Sequence, residues 1–245
     1  MAFTVMSYNI EEGGEGRLPL IADVIRERQP DAIALLEANS RPAAERLARD
    51  VGMRVAYGDA NSAFAVAWLS RLPIERVENH RFAALAKTLL EIEVAWEGDM
   101  VHLFATHLAA RDDAQRPVDE VPVILGALRP LADRPHLLVG DFNALRPGDL
   151  VGAPPHGVEK RGDARPDAPR HAIRLIMDAS YADCYRMLHP REPGYTYPSD
   201  APWLRLDYIF ASPQMAARLH DCEVVAGGQA PRASDHLPLR AEFRS

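Results

Sequence analysis

The sequence predicts an α/β fold of two packed mixed β-sheets flanked by helices, a four-layer α/β sandwich. Three observations lead there. The first segments alternate strand, helix, strand, helix. Strands at residues 88–96 and 100–107 then flank the turn Glu97-Gly98-Asp99, an antiparallel hairpin that excludes a purely parallel doubly wound sheet. No linker or internal repeat divides the 245 residues, so one domain spanning residues 1–245 is expected. Two sheets with helices outside use every element.

Residues 3–10 alternate and carry β-formers, which predicts a strand. Residues 19–29 place Leu20, Ile21, Val24 and Ile25 at helical spacing, with Pro19 suited to a first turn. Residues 31–36 are a short apolar run ending at Glu37, read as a buried strand. Residues 42–50 read as a helix with Gly52 just past its end. Residues 64–69 read as a strand stopped by Arg71-Leu72-Pro73. After the hairpin come a helix at 122–131 and a buried strand at 136–139, followed directly by Gly140-Asp141-Phe142-Asn143. Residues 146–170 are dense in Pro, Gly, Asp and Arg with no apolar period, a long surface loop. A helix at 171–179 and strands at 206–211, 222–225 and 237–243 complete the pattern.

Composition narrows the partners. Apolar residues make up 47% of the chain, enough to bury a core without disulfides. The net charge of −7 gives no overall field for polyanions, so nucleic acid is not favoured as a partner, although a local basic groove would suffice. The two cysteines, Cys184 and Cys222, form no CxxC pair, and a reducing compartment is the simpler expectation. The N-terminus reads as a strand, not a signal peptide, and no apolar run reaches membrane-span length. A soluble, cytoplasmic monomer is expected. The absence of a GxxxxGK[ST] loop argues against ATP-driven chemistry.

Polar residues gather at strand ends, where side chains are held rigidly. Asn9 ends the first strand and Glu11 follows; Glu37 ends the second and His107 the hairpin. Asp141 and Asn143 follow the strand at 136–139, Asp207 opens the strand at 206–211, and Asp235-His236 precedes the last. Taken singly, each has a blander explanation. Asn9 suits a turn, Glu37 a local pair, Asp141 a solvated bend, Asp207 a surface ion pair with Arg205, and the two histidines plain packing. The other seven histidines have no better context. Jointly, carboxylates and amides with two histidines and no cysteine form an oxygen-rich set, which suits Mg²⁺ or Mn²⁺ better than zinc. Such a set fits phosphate-ester hydrolysis: a hard dication neutralises phosphate oxygens, a carboxylate handles water, and imidazole or amide donors hold charge.

Six segments in order closely resemble the endonuclease/exonuclease/phosphatase superfamily: Ser7-Tyr8-Asn9-Ile10, Leu35-Leu36-Glu37, Ala105-Thr106-His107-Leu108, Gly140-Asp141-Phe142-Asn143-Ala144, Arg205-Leu206-Asp207-Tyr208-Ile209-Phe210 and Ser234-Asp235-His236-Leu237-Pro238-Leu239. Gly194-Tyr195-Thr196-Tyr197 also resembles the family's loop before the Asp207 strand. The resemblance implies a two-sheet sandwich with its site at one edge, and a role for each residue. Glu37 would be the main metal ligand, helped by Asn9, with Asp235 an additional metal-site carboxylate. Asp141 would orient or deprotonate water, and Asn143 would bind the scissile phosphate. His236 would contact the phosphate with Asp207 orienting it, and His107 would assist the leaving group or bind phosphate. Glu11 is a weaker match to an acidic residue near the metal.

Leu36 stands where the family often has Gln, a difference expected to affect packing or a supporting contact to the metal site rather than abolish chemistry. The implied activity is a phosphodiesterase, whether nuclease or hydrolase of small or lipid diesters. A phosphomonoesterase of a sugar, inositol or nucleotide phosphate is the alternative, and a non-catalytic binding module the third class. Two features bear on the substrate. Arg146, Lys160, Arg161, Arg165 and Arg170 of the loop either close over a phosphate-bearing substrate or are cancelled by neighbouring acids. Tyr195, Tyr197 and Trp203 either stack on a ligand or fill the core.

Overall fold

The computed structural model describes residues 1–110, 116–153 and 169–245. Two six-stranded mixed sheets pack face to face. The first has the order β11-β12-β1-β2-β4-β3, from β1 (Ala2–Asn9), β2 (Ala32–Leu36), β3 (Arg54–Gly58), β4 (Val66–Ser70), β11 (Leu219–Val224) and β12 (Leu239–Arg244). The second has the order β5-β6-β7-β8-β10-β9, from β5 (Arg76–His80), β6 (Leu89–Trp96), β7 (Asp99–His107), β8 (His136–Asp141), β9 (Ala182–Asp183) and β10 (Asp207–Ala211). Helices α1 (Leu18–Arg28) and α2 (Arg41–Val51) cover the first sheet; α3 (Arg116–Leu128) and α4 (Arg170–Asp178) cover the second. The predicted four-layer sandwich is the observed one.

Period-2 patterning decides which residue enters which layer. Phe3 and Val5 on β1, Ala34 and Leu36 on β2, Ile92 on β6, Leu103 on β7, Val139 on β8 and Ile209 on β10 point between the sheets. Their neighbours Met6, Tyr8, Ile33 and Leu35 point out against Ile21, Val24, Ile25 and Leu47 of the helices. On the other side, Phe104, Leu138 and Phe210 meet Ile124, Leu128, Ile173 and Ile176. Trp68 is fully buried between the sheets, its Nε1 donating to Leu90 O at 3.1 Å. Fully burying such side chains is worth about 1.5–3 kcal/mol each.

Several local expectations change. The edge strands β3 and β5 were not anticipated. They are short and partly exposed, and the charges of β5 (Arg76, Glu78) suit an edge that must resist pairing with other chains. Helix α3 begins at Arg116 rather than residue 122, and Pro122 lies inside it. The burial of Val121, Ile124 and Leu128 outweighs the hydrogen bond that Pro122 cannot make. The stretch 146–170 is not all loop: Arg170 opens α4, and its Nη1 holds Arg146 O (2.8 Å) and Asp149 O (3.0 Å). Lys160, Arg161 and Arg165 lie outside the described residues, so the loop's proposed closure does too.

Arg205 forms no surface pair with Asp207. It is buried, and its guanidinium reaches Asp149 and Asp183 instead. Cys184 and Cys222 are free and buried. Among the described residues no helix is long and apolar enough to cross a membrane.

Candidate active site

The stripe of side chains that fills the space between the sheets does not stop at the strand ends. It changes from apolar to polar. Asn9 follows Phe3 and Val5 at the same parity on β1, His107 follows Leu103 and Ala105, Asp141 follows Leu137 and Val139, and Asp207 precedes Ile209 and Ala211. Register then brings them together. Parallel pairing sets His107 beside Asp141; antiparallel pairing of β10 with β8 sets Asp207 on the other side of Asp141. In the facing sheet, Asn9 pairs with Leu36 and Glu37 comes next.

The turns after these strands aim the remaining groups. Glu37 takes a left-handed φ of 58°, and its Oε2 accepts from Glu12 N at 3.0 Å. Asn9 Nδ2 donates to both Glu37 Oε1 (3.3 Å) and Asp141 Oδ2 (3.1 Å), linking the two sheets through one amide. Asn143 is also left-handed, at φ 46°; its backbone N–H donates to Asp141 Oδ1 at 2.9 Å. Gly140 is required by close approach: at φ 150°, a Cβ there would sit 1.8 Å from Thr106 O on the adjacent strand. Asp235 and His236 lie in the turn between the short helix Ala230–Ala233 and β12. Ser234 Oγ anchors that turn by donating to Asn9 O at 2.7 Å.

Electrostatics separates the two histidines. His236 Nδ1 lies 2.9 Å from Asp207 Oδ2, and its Nε2 lies 3.7 Å from Asp141 Oδ2. Burial opposes its charge, yet Asp207 and Asp141 outweigh burial and hold the imidazolium well above the ordinary histidine range. His107 is equally buried, but burial and the nearby cations Lys87 and His236 hold it neutral. Its Nε2 is 3.1 Å from Asn143 Nδ2 and 3.4 Å from Asp141 Oδ2. Burial also pushes the Asp141 carboxyl upward, against the pull of His236.

All eight sequence-predicted residues meet here. Glu37, His107, Asp141, Asn143, Asp235 and His236 line one open cavity of about 330 Å³, and Asn9 and Asp207 support it from below. Glu11 also lines it, but its carboxylate is held by Arg17 at 2.6 Å. Tyr197 joins the wall, its ring 4.8 Å from that of His236, whereas Trp203 is core, packed with Leu145, Leu204 and Leu206. Sequence reasoning missed Phe64 and Lys87, both on the wall.

The residues present fit a hard divalent cation. Glu37 and Asp235 add negative charge beside Asp141 and Asp207; burial first, and then Glu37 and Asp207, raise the Asp235 carboxyl. Asp207 Oδ1 is buried with no hydrogen-bond partner among the described residues. Such a carboxylate- and amide-rich group suits a hard, oxygen-preferring dication. At this site Asp141, Asp207 and His236 present ligand-type atoms within 4.8 Å of one another. The His236 imidazole is already engaged by Asp207.

The family model described as Endonuclease/Exonuclease/phosphatase family matches residues 6–236. No curated protein sequence matches. Among solved structures, an AP endonuclease from Archaeoglobus fulgidus is similar at 21% identity and a TM-score of 0.75, covering 99% of this chain and 100% of that one. The 3′ phosphatase NExo from Neisseria, bound to a product DNA hairpin, is similar at 22% identity and 0.77, with 99% and 100% covered. A humanized D. rerio TDP2 gives 18% identity and 0.76, with 100% and 99% covered. With the six motifs, the sandwich and a family match over nearly its whole length, the chain belongs to the endonuclease/exonuclease/phosphatase family.

Proposed function

We propose that this protein is a Mg²⁺- or Mn²⁺-dependent phosphodiesterase, cleaving nucleic-acid, small or lipid phosphodiesters by attack of water on phosphorus. The observation that carries the reading is the line Asp207–His236–Asp141. It combines an imidazolium fixed by a buried carboxylate with a second carboxylate 3.7 Å beyond, all at a cavity that also holds Glu37. Glu37, Asn9 and Asp235 would hold the ion. When bound, it supplies Lewis-acid polarisation of phosphate oxygens.

The chain's own groups do the rest. His236, kept protonated, donates to a phosphate oxygen and offsets the charge that builds during attack. Asp207 fixes its ring plane and stabilises its positive charge. Asp141, its carboxyl pushed up by burial, accepts a proton from the attacking water. Asn143 donates to the phosphate from its left-handed turn. His107, held neutral, donates to or accepts from the leaving side without adding charge. Phe64 and Tyr197 give the cavity two aromatic walls, which suits a substrate with a planar or apolar group beside the phosphate.

The test is turnover of bis-p-nitrophenyl phosphate, p-nitrophenyl phosphate, plasmid DNA, single-stranded DNA and RNA, with Mg²⁺ or Mn²⁺ and with EDTA. EDTA-sensitive cleavage of a diester is expected. Preference for the monoester would replace the diesterase reading with a phosphomonoesterase. No turnover together with no metal binding by calorimetry would leave a binding module.

A further inference from the structure

All but two of the 28 basic residues are arginines; the lysines are Lys87 and Lys160. Lys87 is buried, 5% exposed, and stands on the wall of the active-site cavity just before β6. Its Nζ donates to Leu108 O at 2.7 Å, next to His107, and lies 5.5 Å from the Phe64 ring centroid. An ammonium has three protons. Among the described residues, Leu108 O is its one hydrogen-bond acceptor, and no carboxylate lies within ion-pair distance of it. A buried cation in that condition is costly unless an anion meets it.

The surroundings hold this cation in place. Glu120 of α3 is fully buried and bridges the two segments that carry Lys87 and His107: Oε1 accepts from Ala86 N at 2.5 Å, Oε2 from Ala109 N at 2.8 Å. Leu108 O, which receives the Lys87 proton, also receives Asn143 Nδ2 at 3.2 Å. One carbonyl thus sets the ammonium beside the amide assigned to the phosphate. Burial lowers the Lys87 pKa to about 8, which leaves it charged at neutral pH.

We infer that Lys87 is a substrate-binding residue whose ammonium donates to a non-bridging phosphate oxygen on the His107 side of the cavity. This rests on reading the cavity as a phosphoesterase site. A point charge with free protons suits a phosphate oxygen, and it attracts a dianionic monoester more strongly than a monoanionic diester. Lys87 therefore tunes the balance between ester classes.

Two measurements test it. In the first, wild type, Lys87→Met and Lys87→Arg are assayed on p-nitrophenyl phosphate and bis-p-nitrophenyl phosphate. Lys87→Met is expected to lower kcat/KM roughly 10- to 100-fold on the monoester, several-fold less on the diester, with partial rescue by arginine. A merely structural lysine would lower both substrates equally. In the second, wild type labelled at lysine 13Cε shows two lysine signals, assigned with Lys160→Arg, and is titrated with inorganic phosphate in Mg²⁺. The Lys87 signal is expected to move. Phosphate binding by calorimetry with an unmoved Lys87 signal, or an unchanged monoester-to-diester ratio, overturns the inference alone. Neither binding nor turnover by wild type overturns the phosphoesterase reading, and the Lys87 role with it.

Discussion

Arg205 offers a sharp test of how the site is held. Its guanidinium is 1% exposed and meets two buried carboxylates: Nε to Asp149 Oδ2 at 2.8 Å, Nη1 to Asp183 Oδ1 at 3.0 Å, and Nη2 to Asp183 Oδ2 at 2.6 Å. Replacing it with methionine keeps the bulk and strands two carboxylates. Removing one partner of a buried ion pair costs about 3–5 kcal/mol. Arg186 still reaches Asp149 at 3.1 Å and Arg146 approaches Asp183 at 3.7 Å, which places the loss near the lower end, about 3 kcal/mol.

For a chain of this length, about 1 kcal/mol moves Tm by about 2–4 °C, so Arg205→Met should melt roughly 6–12 °C below wild type. Calorimetry or circular dichroism reads this directly. Adding Asp149→Asn and Asp183→Asn should recover much of the loss, because the cost lies in unpaired charge rather than in missing attraction. A single variant within about 2 °C of wild type, or a triple variant no more stable than the single, refutes the reasoning.

Other outcomes follow from the same geometry. Glu37→Gln and His236→Ala should each remove at least about 100-fold of metal-dependent kcat with the circular dichroism spectrum unchanged; normal activity in both would show the site is misassigned. EDTA should abolish turnover, and excess Mg²⁺ or Mn²⁺ should restore it. Gly140→Ala should cost at least about 3 kcal/mol, because the added carbon meets the backbone oxygen of Thr106 and no rotamer relieves the clash; a stable, active variant would contradict the tight β7–β8 approach. Glu91 should shape the acid limb of stability. Burial works against its charge, but hydrogen bonds from His102 and His80 take its pKa down from 4.5 to about 2. Its contribution is full above 4.5 and is lost as pH falls toward 2, so Glu91→Gln should flatten that part of a guanidinium midpoint-versus-pH curve.

What the sequence disclosed and what it hid have physical causes. Buried strands announce themselves through unbroken apolar runs, and short motifs such as Gly140-Asp141-Phe142-Asn143 encode a local backbone path. The strand ends at Asn9, Glu37, His107 and Asp141 were legible for that reason. Edge strands bury little on either face, so β3 and β5 lacked a clear period. Partners set by tertiary packing were hidden too. Arg205 looked like a neighbour of Asp207, yet its acids lie 56 and 22 residues away in sequence. Glu120 acts across α3 on two loops, which no local pattern reports. Lys87 did leave a trace, as one of two lysines in a chain whose other basic residues are arginines, but rarity gives no location.

The deeper dependence of the site is on register. Asp141 is the meeting point because β7 and β10 both pair with β8, one parallel and one antiparallel, so the last residue of one strand and the first of another flank the same carboxylate. Side chains alternate with a period of two, so a one-residue slip of β10 would turn Asp207 away from His236 and carry Ile209 out of the intersheet core. The apolar stripe that stabilises the sandwich and the polar residues that end it thus share one parity. Any packing change that shifts that stripe misaligns the Asp207–His236 pair before it unfolds the protein, so core substitutions along β10 should lower activity at temperatures where the chain is still folded.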